Sequence, residues 1–218
     1  MNRSGAGGRR RLLRSVVAAT LTAAATASVG ILWNLEVPSP AGRDLRGHRV
    51  ALNPQDRPDG RLRALQRADD SGHGRFEVPS VKLDVPLGAL TEAEGAIKPP
   101  GFTSVYWVRN RGVGVHSADK GTVFVVTHSL RGGGVAPGNY LIDVRRGTSS
   151  LRPGAELIVD GIHYTLDETQ PIPKSQIADD ASVWANTPNR LVVITCLQVP
   201  AGTASVDNLV ITATRQAD

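Results

Sequence analysis

Two side chains in this sequence form the pair that a base-activated nucleophile needs, and each closes a run with strand character. Cys196, the only cysteine in the chain, ends LVVITC (191–196), and His128 ends TVFVVTH (122–128). Apolar, β-branched runs of this length predict buried strands, so thiol and imidazole both fall at the rim of a sheet. A thiol beside an imidazole can be deprotonated to a nucleophile, and the protonated ring can then serve as acid for a leaving group. A lone cysteine by itself reads as a small buried hydrophobe; it is the second run that carries the functional reading. With ordinary pKa values near 8.5 and 6.5, only about one per cent of molecules at neutral pH hold thiolate and imidazolium together. Donors that steady a developing oxyanion therefore matter as much as the pair itself.

The elements that must position these two groups are short strands. FEVPSVKLDVPLG (76–88) gives extended pieces broken by Pro79 and Pro86, and Pro99-Pro100-Gly101 is a turn. Residues 105–108, 122–127 and 140–144 read as extended, with RGGGVAPGN (131–139) as a mobile loop. Residues 156–159 and 163–166 flank Asp160-Gly161, a tight-hairpin signal. Residues 175–185 have room for one or two helical turns with Trp184 facing inward, and 208–214 is the last strand. Many short strands without a long amphipathic helix predict an all-β domain, a closed antiparallel barrel or a sandwich.

One cysteine excludes an internal disulfide. The net charge of +5 comes mostly from arginines in the first 75 residues, and aromatic residues make up only 4%. A base-stacking nucleic-acid surface is therefore not expected. His116, Asp119 and His128 have no regular ligand spacing, so no metal and no cofactor are expected. Residues 1–15 form a basic cytoplasmic N-terminus. Residues 16–33 are uncharged and apolar, a transmembrane anchor with the arginines inside. Ala25-Thr26-Ala27 also fits signal-peptide cleavage, which would give a secreted form. Residues 34–75, with eight arginines against six acids from residue 36 onward and several prolines, read as a flexible linker. Residues 76–218 are the folded domain, outside the cytoplasm.

The ordered set of anchor, linker, VPSVKLDVPLG, TVFVVTH, PGAELIVDGIHYTL, PIPKS and LVVITC resembles the sortases, the membrane-anchored cysteine transpeptidases of Gram-positive bacteria. It is most similar to the actinobacterial class F and class E members. The resemblance covers about residues 76–214 and implies an eight-stranded sortase-type barrel with short helical turns, preceded by a membrane helix. It also implies that His128 and Cys196 are the catalytic pair. The implied activity is cleavage of an LPXTG-type sorting signal through a thioester, in surface-protein anchoring. The acyl group then passes to an amine of lipid II, peptidoglycan or a pilin lysine.

In that family an arginine at the start of the last strand reaches the thiol. Aligned on Asp207-Asn208, its place here is taken by Val206. Arg215 has the wrong strand parity and Arg190 is too distant along its own strand, which leaves Arg131 as the candidate. Gln198 is a second possible oxyanion donor, backbone N–H groups near Leu197 and Gln198 are a third, and Thr195 holds the family's position beside the cysteine, suited to orienting substrate. A second reading follows from the lost arginine: a sortase-like barrel that has shed catalysis and binds a surface polypeptide as an accessory module. A third, a hydrolase, differs only in letting water resolve the thioester.

Overall fold

The computed structural model describes residues 42–50 and 58–217. The expected basic terminus and apolar span at 1–15 and 16–33 lie outside them. Among the described residues no helix is long and apolar enough to cross a membrane.

Two short strands, β1 (Gly42–Arg43) and β2 (Arg49–Val50), pair as a hairpin. Helix α1 (Gly60–Gln66) follows, capped by Asp59, whose carboxylate accepts from Leu62 N at 2.7 Å. Strands β3 (Arg75–Val78), β4 (Leu83–Leu90), β5 (Val105–Gly112) and β6 (Thr122–Val126) come next. Helix α2 (Pro137–Leu141) leads into the small pair β7 (Ile142–Asp143) and β8 (Thr148–Ser149). Strands β9 (Glu156–Val159) and β10 (Ile162–Pro173) form the expected hairpin on Asp160-Gly161. Both turn residues have positive φ, 48° and 76°, a conformation that favours a glycine at the second position. A 3₁₀ turn at Ile177–Asp179 and α3 (Ala181–Trp184) precede β11 (Arg190–Leu197) and β12 (Asp207–Arg215).

Eight of these strands close into a barrel in the order β10-β12-β11-β6-β5-β4-β3-β9. The barrel is not wholly antiparallel as expected, because β4 pairs β5 and β6 pairs β11 in parallel. A parallel pair needs a long crossover, supplied here by residues 91–104 and 127–189. The unbroken apolar run of β11 has a direct cause. Leu191, Val193 and Leu197 belong to the barrel interior with Leu209, Ile211 and Ala213. Val192 and Ile194 belong to an outer layer with Phe124, Val126 and Val210, against which Trp184, Ile177 and Ile97 pack. A strand covered on both faces does not alternate.

Two regions differ from expectation. The span 34–75 is folded against the barrel wherever it is described, because its few apolar and polar side chains find partners there rather than in one another. Asp69 bridges to Ala89, Leu62 and Gln66 are buried, and Asp70 accepts from Tyr106 Oη at 2.5 Å. The segment 131–139 is pinned as well. Asn139 Oδ1 accepts from Leu130 N and Ala136 N, its Nδ2 donates to Leu130 O, and Pro137 opens α2, which takes the first two residues of the extended run expected at 140–144 and leaves Ile142–Asp143 as strand.

The β1–β2 hairpin is clasped to this segment by Asp44, 2% exposed, whose carboxylate accepts from the backbone N–H groups of Val135, Arg46 and His48 at 2.8–3.0 Å. Burial raises the Asp44 pKa, but those three donors and the nearby His48 outweigh it and hold the carboxyl below the usual 3.8. A depressed folded pKa means that the clasp contributes fully above the unfolded value and weakens as pH falls through the folded one. Amide protection across 42–50, corrected for intrinsic exchange, should therefore hold at neutral pH and fall once pH drops below the usual value of 3.8. Protection that is constant down to about pH 2 would remove this role for Asp44. In the barrel interior, Leu191→Ala is expected to cost about 2–5 kcal/mol in denaturant unfolding.

Candidate active site

The parallel pairing of β6 and β11 runs Arg190↔Thr122 through Ile194↔Val126, and Thr127 N continues it by donating to Ile194 O at 3.1 Å. Both strands therefore end at the same rim. His128 lies two residues past Val126 and Cys196 two past Ile194, which puts them level on neighbouring strands. Adjacent strands are about 4.8 Å apart. Cys196 continues the outer face of β11 just where the covering layer gives way to a groove of about 640 Å³. The thiol is half-buried. Ile97, Val126, Ile194, Ile177 and Trp184 give the groove an apolar surface, and Lys98, Arg131 and Lys174 line it as well.

His128 is held from three directions. Its Nε2 lies 2.8 Å from the Pro99 carbonyl and donates to it, which in the neutral ring makes Nδ1 the proton acceptor. Phe102 packs against the ring with centroids 5.3 Å apart. Gly138 N donates to the His128 carbonyl at 2.8 Å, an approach that only a glycine permits, since a Cβ at 138 would stand 2.6 Å from that oxygen. The wall carrying Pro99 is fixed in turn. With its amide oriented to satisfy both groups, Gln66 of α1 accepts from Lys98 N at 2.8 Å and donates to Lys98 O at 3.1 Å.

All five residues singled out in the sequence, Cys196, His128, Arg131, Gln198 and Thr195, line this groove. Their side chains do different things. The Thr195 hydroxyl is buried without a partner among the described residues, and it faces α2, where a Cβ on Gly138 would lie 2.1 Å from it. By strand parity its side chain belongs to the barrel interior. Gln198, 7% exposed, commits Nε2 to Ser129, donating to the carbonyl at 2.8 Å and to the hydroxyl at 3.1 Å. It is thus a strut rather than an oxyanion donor. Ser129 Oγ donates to the Cys196 carbonyl at 2.5 Å, so the residue after the histidine is tied to the cysteine and to the residue two beyond it. Arg131 does reach the groove, where it is half-buried and already engaged in an interaction of its own.

The register of β11 and β12 shows which last-strand residue stands beside the thiol. The residue opposite Cys196 is Asn208, with Leu197↔Asp207 following, whereas Val206 lies beyond the last pair and is 70% exposed. Facing residues of an antiparallel pair share a face, so Asn208 is the last-strand side chain beside the thiol. Sequence reasoning also missed the Pro99 carbonyl and the Ser129 tie. Neither has a motif, though the Pro-Pro-Gly turn marks the first as a fixed backbone.

Similar solved structures include sortase A of Listeria monocytogenes, at 19% identity and a TM-score of 0.48, covering 68% of this chain and 89% of that one. Sortase C-1 of Streptococcus pneumoniae is similar at 14% identity and 0.46, with 66% and 67% covered. A Clostridium perfringens sortase D5 transpeptidase is similar at 11% and 0.45, with 67% and 79% covered. No family model matches the sequence, and no curated protein does.

Ser129→Ala removes the donor to the Cys196 carbonyl and one acceptor of Gln198. It is expected to lower stability by about 1–3 kcal/mol in urea unfolding. The rate at which iodoacetamide alkylates Cys196 should change with it, because the tie sets where the thiol sits relative to the imidazole.

Proposed function

We propose that this protein is a sortase-type cysteine transpeptidase, with Cys196 as nucleophile and His128 as proton carrier. The observation that carries the reading is the parallel register of β6 and β11, which brings thiol and imidazole level at one rim, in a groove of about 640 Å³. In the first half-reaction the Cys196 sulfur adds to a peptide carbonyl and the thiol proton passes to the imidazole. His128 then protonates the departing amine, leaving a thioester on Sγ. In the second, an acceptor amine gives a proton to the ring, attacks the thioester carbon and releases the thiol.

The finer parts of the proposal follow the order of motifs in the sequence. They are a class F or class E assignment, an LPXTG-type sorting signal on a secreted protein, and an amine of lipid II, peptidoglycan or a pilin lysine as acceptor. They extend to a single-pass anchor at 16–33 that holds the domain outside the membrane of a Gram-positive actinobacterium. The apolar groove surface suits the leucine and proline of such a signal. One observation favours the second reading, an accessory module that binds a surface polypeptide: Val206 stands 70% exposed at the rim, an apolar residue that a bound chain would cover.

Intact-mass analysis of the full-length protein with a vinyl-sulfone analogue of the sorting peptide separates the two readings. A single adduct on Cys196 is expected, absent in Cys196→Ala, strongly slowed in His128→Ala and competed by free peptide. No adduct while iodoacetamide still labels Cys196 would reject the transpeptidase and leave the binding module.

A further inference from the structure

Acyl transfer from any donor to Cys196 passes through a tetrahedral adduct whose oxygen carries a negative charge, and a site that works must aim hydrogen-bond donors at that oxygen. This inference rests on the reading of Cys196 as an acyl-accepting nucleophile and asks which group meets the oxyanion. The polar side chains around the groove divide sharply. Gln198 spends its amide hydrogens on Ser129, and the Thr195 hydroxyl faces the interior. Arg111 is paired with Glu92 at 2.7 Å and lies over Trp184 at 4.9 Å. Lys98 and Arg131 have interactions of their own. The Lys174 ammonium makes no hydrogen bond to a described residue either, but Lys174 follows β10, whose Ile172 pairs with Asn208 of β12, so its backbone is two strand spacings from β11 and one pleat beyond the thiol.

Asn208 stands nearest. It faces Cys196 directly across the β11–β12 ladder and lines the groove, and its carboxamide makes no hydrogen bond to any described residue. We infer that the Asn208 side-chain N–H is the oxyanion donor of this site, so that a neutral amide stabilises the acyl adduct. The reach is suitable. Facing Cβ atoms stand about 4.5–5.5 Å apart. The sulfur is one bond from its Cβ and Nδ2 two bonds from its own, while the acyl oxygen is two bonds beyond the sulfur, so oxygen and N–H meet between the strands at hydrogen-bond distance. Both groups sit on strands bonded to neighbours on either side, and the donor therefore needs no reorganisation when charge develops.

The test compares two reactions of the same thiol in the full-length protein. p-Nitrophenyl acetate acetylates Cys196: the thiolate adds to the acyl carbon, the carbonyl pair moves to oxygen, and collapse expels p-nitrophenolate while the thiol proton goes to the imidazole and then to water. Iodoacetamide alkylates the same sulfur by displacing iodide, with no oxyanion. Asn208→Leu, similar in shape but without donors, is expected to slow acetylation about 10²-fold while alkylation changes by no more than about twofold. Asn208→Ser, which keeps a donor, should recover about tenfold of the loss. Cys196→Ala supplies the background. Unchanged acetylation in Asn208→Leu, or acetylation and alkylation falling together in both variants, would overturn the assignment. Because neither reagent is a sorting peptide, these outcomes are independent of whether the peptide reaction succeeds.

Discussion

Everything at this site depends on one constraint, the parallel ladder between β6 and β11. Two strands that run the same way finish at the same edge, so residues equally far past a matched pair stand side by side. That is how a thiol and an imidazole 68 residues apart become neighbours without either strand bending (196 − 128 = 68). The long crossover that a parallel pair requires is put to use as well. It carries α2, whose Gly138 holds the His128 backbone, and α3, whose Trp184 packs on the outer layer beneath the groove.

Around this ladder the histidine is more heavily braced than the cysteine. Phe102 and the Pro99 carbonyl hold the ring, Gly138 its backbone, and Gln66 the wall behind Pro99. The cysteine is placed mainly by its own strand, with Ser129 as the tie between the two. This division fits the chemistry, since an imidazole must present the correct nitrogen while a thiol needs only position.

Much of this was legible beforehand. The apolar runs ending on His128 and Cys196, the Asp160-Gly161 hairpin and the turns around Trp184 are local signals, and the folded chain keeps them. What escaped was set by contacts distant in sequence. The direction of β6 relative to β11 is invisible in either strand alone. The register of β12 against β11 hangs on the whole connection 198–206, of which the Val199–Gly202 turn is only a part, so the pairing of Asn208 with Cys196 cannot be read from either strand alone. Residues 58–75 read as tether because their composition is polar. They are ordered by single contacts such as Gln66 on Lys98 and Asp70 on Tyr106, which no periodicity announces. Of the 140–144 stretch only Ile142–Asp143 is extended, because Pro137 opens a helical turn that runs to Leu141 and the Asn139 side chain braces it.

The strand that bears the thiol is hydrogen-bonded along both edges, to β6 on one side and β12 on the other. It cannot slide or tilt toward a partner without opening two ladders, so whatever the groove accommodates must be accommodated by its walls, the 92–101 and 174–184 segments. Those walls belong to connections rather than to the barrel sheet. What fits the groove and where the sulfur stands are thus physically separable: a changed wall would reshape the groove and leave the thiol in register.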